Sequence, residues 1–391
     1  MQGIVAVTAR KRVLFLINSL TGGGAERVMC TLLRHSEAER QEFDMILALL
    51  DDEPRANEPP AWLETRQLDC GQSLLRSMRE ARKLFAELKP DVAVSFLTRS
   101  NFANVVNANC PSIISERAHT SAHLSRGARD LVSRATVRLL YPRASRVIAV
   151  SEGVAQDLRD SFGVRPERLV SIANPVDIEA LAAKSAEPSP VSVEGPYILG
   201  VGRFVGQKNF ELLIRAYAAS GDARKLVIAG DGAERDALRA LAAECGVGDK
   251  VLFPGFVVNP YPLMRGASLF VLPSNSEGFP NAMVESMAMG VPVIATNCNS
   301  GPSEILADAP RETVTSLTFA PHGVLTPPNE VAPMAEAIKA LQDPARSAAY
   351  AAAGAERAKH FGAVASKDRY WAVIRDVLRE RGRASDRGPH A

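Results

Sequence analysis

From Arg12 onward the chain repeats one pattern: a short apolar run, a loop, then an amphipathic segment of helical period. The first round reads RVLFLIN, a glycine-rich loop, AERVMCTLLRHS and then FDMILALL. Period-2 or fully apolar runs alternating with period-3.6 segments build βα units around a parallel sheet, which makes the chain α/β. Further strands are expected at 91–96, 111–116, 146–150 and 168–173, so that one Rossmann-like unit ends near Asp177. The stretch 182–196, AAKSAEPSPVSVEGP, has no periodicity and the Ser, Pro, Ala and Glu content of a linker. The pattern then restarts, with strand candidates YILGVG, KLVIAG, KVLFPG, SLFVLPS and VPVIATN and helices from Asn209, Ala233, Asn281 and Glu330. A length of 391 residues also suits two cores better than one. The expected division is 1–183, a linker at 184–196, 197–365, and a closing segment 366–391 made of one helix (366–381) and a polar, disordered tail.

Composition removes several function classes. A formal net charge of +2 gives no global attraction to nucleic acid, and none is expected as a partner. The five cysteines are scattered without a CxxC pair, which suggests neither a zinc site nor a redox motif and fits a reducing cytosol. No apolar run approaches the roughly 18–20 residues of a membrane span, and the N-terminus lacks a signal-type core, so a cytoplasmic location is expected.

Three constellations could carry chemistry. The loop Thr21-Gly22-Gly23-Gly24-Ala25-Glu26-Arg27 lies between a strand and a helix. Without Cβ atoms its amides can approach an anion at the helix N-terminus, although a tight turn alone would use the same glycines. It lacks the G-x-G-x-x-G spacing and the P-loop Lys-Ser/Thr, which weighs against dinucleotides and ATP. In the second, GRFVGQKN, Arg203 leaves a strand at its C-terminal edge and Lys208 precedes a helix. Two cations there suit a diphosphate leaving group, or are two solvated charges. In the third, EGFPNAMVE, Glu277 and Glu285 are separated by seven residues across a loop-to-helix junction, with Phe279, Pro280 and Asn281 at the turn. Carboxylates at such a place can accept pairs of sugar hydroxyls, or cap and pair locally.

Arg203, Lys208 and the Glu277/Glu285 pair, in this order, resemble glycosyltransferase family 4, whose members have the GT-B fold of two Rossmann-like domains facing across a cleft. The likeness extends over LVIAGDGAERDALRALAAECGVGDKVLFPGFV and FVLPSNSEGFPNAMVESMAMGVPVIATN, and more loosely over NSLTGGGAERV, SFLTRSN and ISER. The resemblance implies that Glu285 grips ribose hydroxyls, Glu277 contacts the transferred sugar, Arg203 and Lys208 bind the diphosphate, and Gly23 lies on a loop that closes over it. It also implies retention at the anomeric carbon and a last helix that crosses back to the first domain. Where many members carry a histidine-acid pair, this chain has Glu116-Arg117 with His119 two residues on. ISER at this place is similar to a subgroup that transfers hexoses or N-acetylhexosamines from UDP donors to polyprenyl-diphosphate-linked or surface-polysaccharide glycans. Glu116, Arg117 and His119 are therefore candidates for the acceptor or sugar side, although His119 also reads as a surface histidine.

Residues 117–146 hold seven arginines (117, 126, 129, 134, 138, 143 and 146), and LVSRATVRLLYPR within them is amphipathic. Such a face suits anionic lipid headgroups, or is a solvated helix surface. No Asp-x-Asp occurs, so the leaving diphosphate is expected to be met by Arg203, Lys208 and helix N-termini without a metal or other cofactor. The expected function is a retaining glycosyltransferase using a nucleotide-diphosphate sugar. A nucleotide-sugar epimerase or hydrolase, or a non-catalytic scaffold, are the rivals.

Overall fold

The computed structural model describes residues 10–124 and 127–386, the side chains of 128, 129 and 384–386 apart. The chain divides into two compact units. One contains the residues up to Val150, Val154–Pro175 and those from Ala363 on; the other contains Ser151–Gly153 and Val176–Gly362. Composition placed the boundary at 183/184, whereas the break falls at Pro175 and Val176. The reason is burial. Helix Ile178–Ser185 buries Leu181 and packs on helix Tyr261–Arg265, so the front of the proline- and serine-rich stretch belongs to the second unit.

Among the described residues the first unit has seven strands, β1 Lys11–Ile17, β2 Phe43–Leu49, β3 Glu64–Gln67, β4 Val92–Phe96, β5 Ser112–Glu116, β6 Arg146–Ala149 and β7 Leu169–Ser171. They lie in the order β3-β2-β1-β4-β5-β6-β7, all parallel. After β1 the chain winds outward through β2 and β3, then returns to β4 on the other side, so the loops after β1 and β4 part company. That is the switch point where open α/β sheets bind ligands. Its core joins Val13, Phe15, Ile17, Phe43 and Val94 to Tyr370, Trp371, Ile374 and Leu378 of helix Ala363–Asp386. The indole of Trp371 stacks on Phe43 at 4.8 Å, and its Nε1 donates to Ser36 Oγ at 2.8 Å. The helix is longer than the expected 366–381 and takes in Gly382 to Asp386 of the stretch read as a disordered tail; 387–391 lie outside the described residues.

The second unit repeats the plan with β8 Tyr197–Val201, β9 Lys225–Ala229, β10 Val251–Gly255, β11 Leu269–Leu272, β12 Val293–Thr296, β13 Thr318–Ala320 and β14 Gly323–Thr326. The order is β10-β9-β8-β11-β12-β14-β13, parallel except for the β13/β14 hairpin. Its switch point lies between β8 and β11, so the loops 202–209 and 273–280 diverge there. Among the described residues no helix is long and apolar enough to cross a membrane.

Candidate active site

Strand β8 delivers Gly202 and Arg203 to the C-terminal edge of the second sheet, with Arg203 exposed. The neighbouring β9 loop has to come very close. A Cβ at Gly230 (φ +149°) would stand 1.8 Å from the Gly202 carbonyl oxygen, so only glycine allows this contact. Lys208 follows on the same loop, and Asn209 adopts a left-handed conformation (φ 50°) to cap helix Phe210–Ser220 through Leu212 N. Asn209 Nδ2 also donates to Asn275 Oδ1 and Asn329 Oδ1, both at 3.0 Å. Asn275 N and Nδ2 in turn bond the carbonyls of Gln207 and Gly206. The two switch-point loops are thereby stitched together.

The stitching brings Lys208 and Glu277 into direct contact. Lys208 Nζ lies 2.6 Å from Glu277 Oε1, and the hydroxyl of the fully buried Ser274 donates to the same oxygen at 2.6 Å. Ser300 Oγ donates to the Glu277 carbonyl, which fixes the backbone as well. Beneath lies Cys298, whose thiol is pushed up to about 12 by burial and by the Glu277 carboxylate. Glu285 is buried one turn into helix Asn281–Ala288, for which Pro280 is the N-cap residue. The turn at Phe279, Pro280 and Asn281 offers few free amides. Proline has no N–H, and Asn281 N donates to the Phe279 carbonyl at 3.0 Å. Phe279 is buried and edge-on to Phe361 at 5.4 Å.

On the first unit, Gly23 precedes helix Gly24–Arg34 in the β1 loop. The Glu26 carboxylate lies against it, since a Cβ on Gly23 would be 2.1 Å from Glu26 Oε2. An acid at the third helical position reaching back over the N-terminus is half of a capping box, so Glu26 competes for the place an anion would take.

At the end of β5, Glu116 is buried and accepts from Tyr141 Oη (2.6 Å), Arg117 N (3.0 Å) and Ala118 N (3.3 Å). Burial pushes its carboxyl above the usual range, against these hydrogen bonds. The Arg117 guanidinium turns inward. It donates to Tyr370 Oη (2.8 Å), Ser115 Oγ (3.1 Å) and Asn174 Oδ1, and covers the Phe96 ring at 4.7 Å. It thus ties β5 to the last helix. His119 Nδ1 accepts from Ala122 N (3.4 Å) as the cap of a short helix and lies 3.5 Å from Asp157 Oδ2. Helix Ala128–Leu140 exposes Leu131, Val132 and Leu139 together with Arg138. Arg126 lies outside the described residues, as does the side chain of Arg129.

Comparison with known proteins places these loops in a family. The model "Glycosyltransferase Family 4" matches residues 22–180, and "Glycosyl transferases group 1" matches 183–357. The N-acetylgalactosamine-N,N'-diacetylbacillosaminyl-diphospho-undecaprenol 4-alpha-N-acetylgalactosaminyltransferase of Campylobacter jejuni is 32% identical over 307 residues, spanning 75% of this chain and 82% of that protein. The chain belongs to glycosyltransferase family 4. Solved structures share its fold: sucrose-phosphate synthase of Thermosynechococcus elongatus (TM-score 0.77, 19% identity, 95% of this chain and 100% of that one) and Anabaena HepE in complex with UDP (TM-score 0.73, 21% identity, 93% and 100%). The two parallel sheets are those of a GT-B enzyme. In this glycosyltransferase, reading the sequence missed Ser274, the Asn209/Asn275/Asn329 cluster and the Gly230 contact. Of these only the GDG following KLVIA carries a local signal, since the others depend on which loops the strand order makes neighbours.

Proposed function

We propose that this glycosyltransferase transfers a hexose or N-acetylhexosamine, with retention, from a UDP-sugar to a polyprenyl-diphosphate-linked or polysaccharide glycan. The observation that carries the reading is the Lys208 to Glu277 contact at the β8/β11 switch point, with exposed Arg203 on the same loop. A cation for a phosphate and a carboxylate for a hydroxyl stand side by side, which is the chemical outline of a sugar joined to a diphosphate. Glu285, buried a turn deeper, is assigned to the ribose hydroxyls, and Gly23 to a loop closing on the donor. Arg203, Lys208 and helix N-termini meet the charge that grows on the diphosphate, and no metal is required. In the step itself the bond from C1 to the phosphate oxygen breaks on the face where the acceptor oxygen attacks. The acceptor proton passes to the departing phosphate oxygen.

The acceptor side is assigned to the β5 end, where Glu116, Arg117 and His119 stand. Arg117 acts there by holding Ser115, Asn174 and Tyr370 in register. The undecaprenol-linked substrate in the Campylobacter relative's name supports a lipid-linked acceptor. The exposed Leu131 and Val132 beside the arginines of helix Ala128–Leu140 support peripheral contact with an anionic membrane surface.

The test is nucleotide release from a panel of UDP- and GDP-sugars, with and without a polyprenyl-diphosphate glycan extract. One donor is expected to give acceptor-dependent release that is insensitive to EDTA and falls at least ~100-fold in both Arg203→Ala and Glu285→Ala. Acceptor-independent turnover would instead make the protein a hydrolase, and trapping a covalent glycosyl-enzyme would overturn the same-face displacement.

A further inference from the structure

The Glu277 carboxylate is placed in a way that donor recognition alone does not require. It is 7% exposed, its backbone is held by Ser300, and its Oε1 takes both the Ser274 hydroxyl and the Lys208 ammonium. These contacts restrain it where it stands when a ligand arrives. Any phosphate that Lys208 binds must share that ammonium with a fixed negative charge, and two oxygens on one ammonium lie on the order of 4–5 Å apart. At that distance, in a part-buried site, like charges repel appreciably.

This repulsion differs between substrate and product. In a nucleotide-diphosphate sugar the terminal phosphate is a diester with a single charge, and a sugar hydroxyl can cover the Glu277 carboxylate. Transfer breaks the bond from C1 to the phosphate oxygen, the phosphate keeps the electron pair, and the acceptor proton it receives is lost to water. The product's terminal phosphate is then a monoester, mostly doubly charged at neutral pH because its second pKa is about 6. The covering sugar has gone.

We propose that the Glu277 carboxylate, held by Lys208 and Ser274, expels the nucleoside diphosphate after transfer, so that it discriminates the donor from its own product. The inference rests on the donor reading above and goes beyond it. Lys208 bridges carboxylate and diphosphate, and lets one site tolerate the first state and reject the second.

Titration calorimetry of UDP and UMP on the wild type, Glu277→Gln, Lys208→Ala and the double variant tests it. Gln keeps an oxygen for Ser274 and Lys208 but removes the charge. Glu277→Gln is expected to bind UDP about tenfold more tightly than the wild type. UMP, which lacks the terminal phosphate, is expected to change less than twofold, and turnover by the variant to become more sensitive to added UDP. Lys208→Ala should weaken UDP more in the wild-type background, where it bares the carboxylate, than in Glu277→Gln. Unchanged or weaker UDP binding by Glu277→Gln, or an equal gain for UMP, would overturn the proposal. If the wild type binds GDP in place of UDP, the same comparison runs with GDP and GMP. If it binds neither diphosphate, the donor reading falls and this inference with it.

Discussion

Lys208 and Glu277 act as one unit, since the ammonium and the Ser274 hydroxyl meet on a single carboxylate oxygen and neither charge can be altered without changing the other's surroundings. Glu277 and Lys208 were legible as an acid and a base, but not as partners, because 69 positions separate them and only the β8/β11 adjacency closes the gap. Arg117 was legible as a cation near the acceptor side. That its guanidinium points at Tyr370, 253 positions away, was not. Glu116 carries a pH signature. Its carboxyl is raised above the ordinary 4.5 by burial, so the folded state holds the proton more tightly than the unfolded chain. The stabilisation this gives is complete below pH 4.5 and is lost as pH climbs through the raised value. Urea midpoints of the wild type and Glu116→Gln from pH 4 to 8 should therefore converge at acidic pH. The variant should gain on the wild type as pH rises towards 8, where the wild type must bury a charge.

Among elements, the buried strands were the most legible. Runs such as VLFLI and LVIA have a central place in a sheet and no other way to hide their side chains. The strands that escaped notice are an edge strand without an apolar side, β3 (ETRQ), and the short β13 (TFA) and β14 (GVLT), which exist because a partner strand is there. Propensity and period say little about such segments. The last helix shows the opposite case. Its amphipathic pattern was clear, but its length was set by the sheet it covers and not by composition. Trp371 is the residue most deeply committed to that packing, through Phe43, Phe15 and Ser36. Trp371→Ala is expected to lower the stability of the first unit by about 3–5 kcal/mol, read from chemical denaturation, while the second unit's transition stays put.

At the scale of the molecule, two sheets of one plan come from a chain that leaves its first unit, builds the second from an almost continuous stretch, and returns. The doubling was visible in the sequence because each strand-loop-helix round repeats its hydrophobic period. The strand pattern put the end of the first unit near Asp177, whereas the back half of helix Ile178–Ser185, residues 182–185, reads as linker by composition although it is folded into the second unit. Expressed alone, residues 176–362 are expected to unfold in one cooperative transition followed by circular dichroism. Residues 10–175, lacking Tyr370 and Trp371, are expected to lack the near-ultraviolet signal of fixed aromatic packing. The same threading sets a timetable on the ribosome. The first unit's core stays unsealed while residues 176–362 are made, roughly 10–40 s at ordinary elongation rates. For that interval the face of β1 and β2 that Trp371 will cover is open, so the part of the protein made first is the part that finishes folding last and has most need of a chaperone.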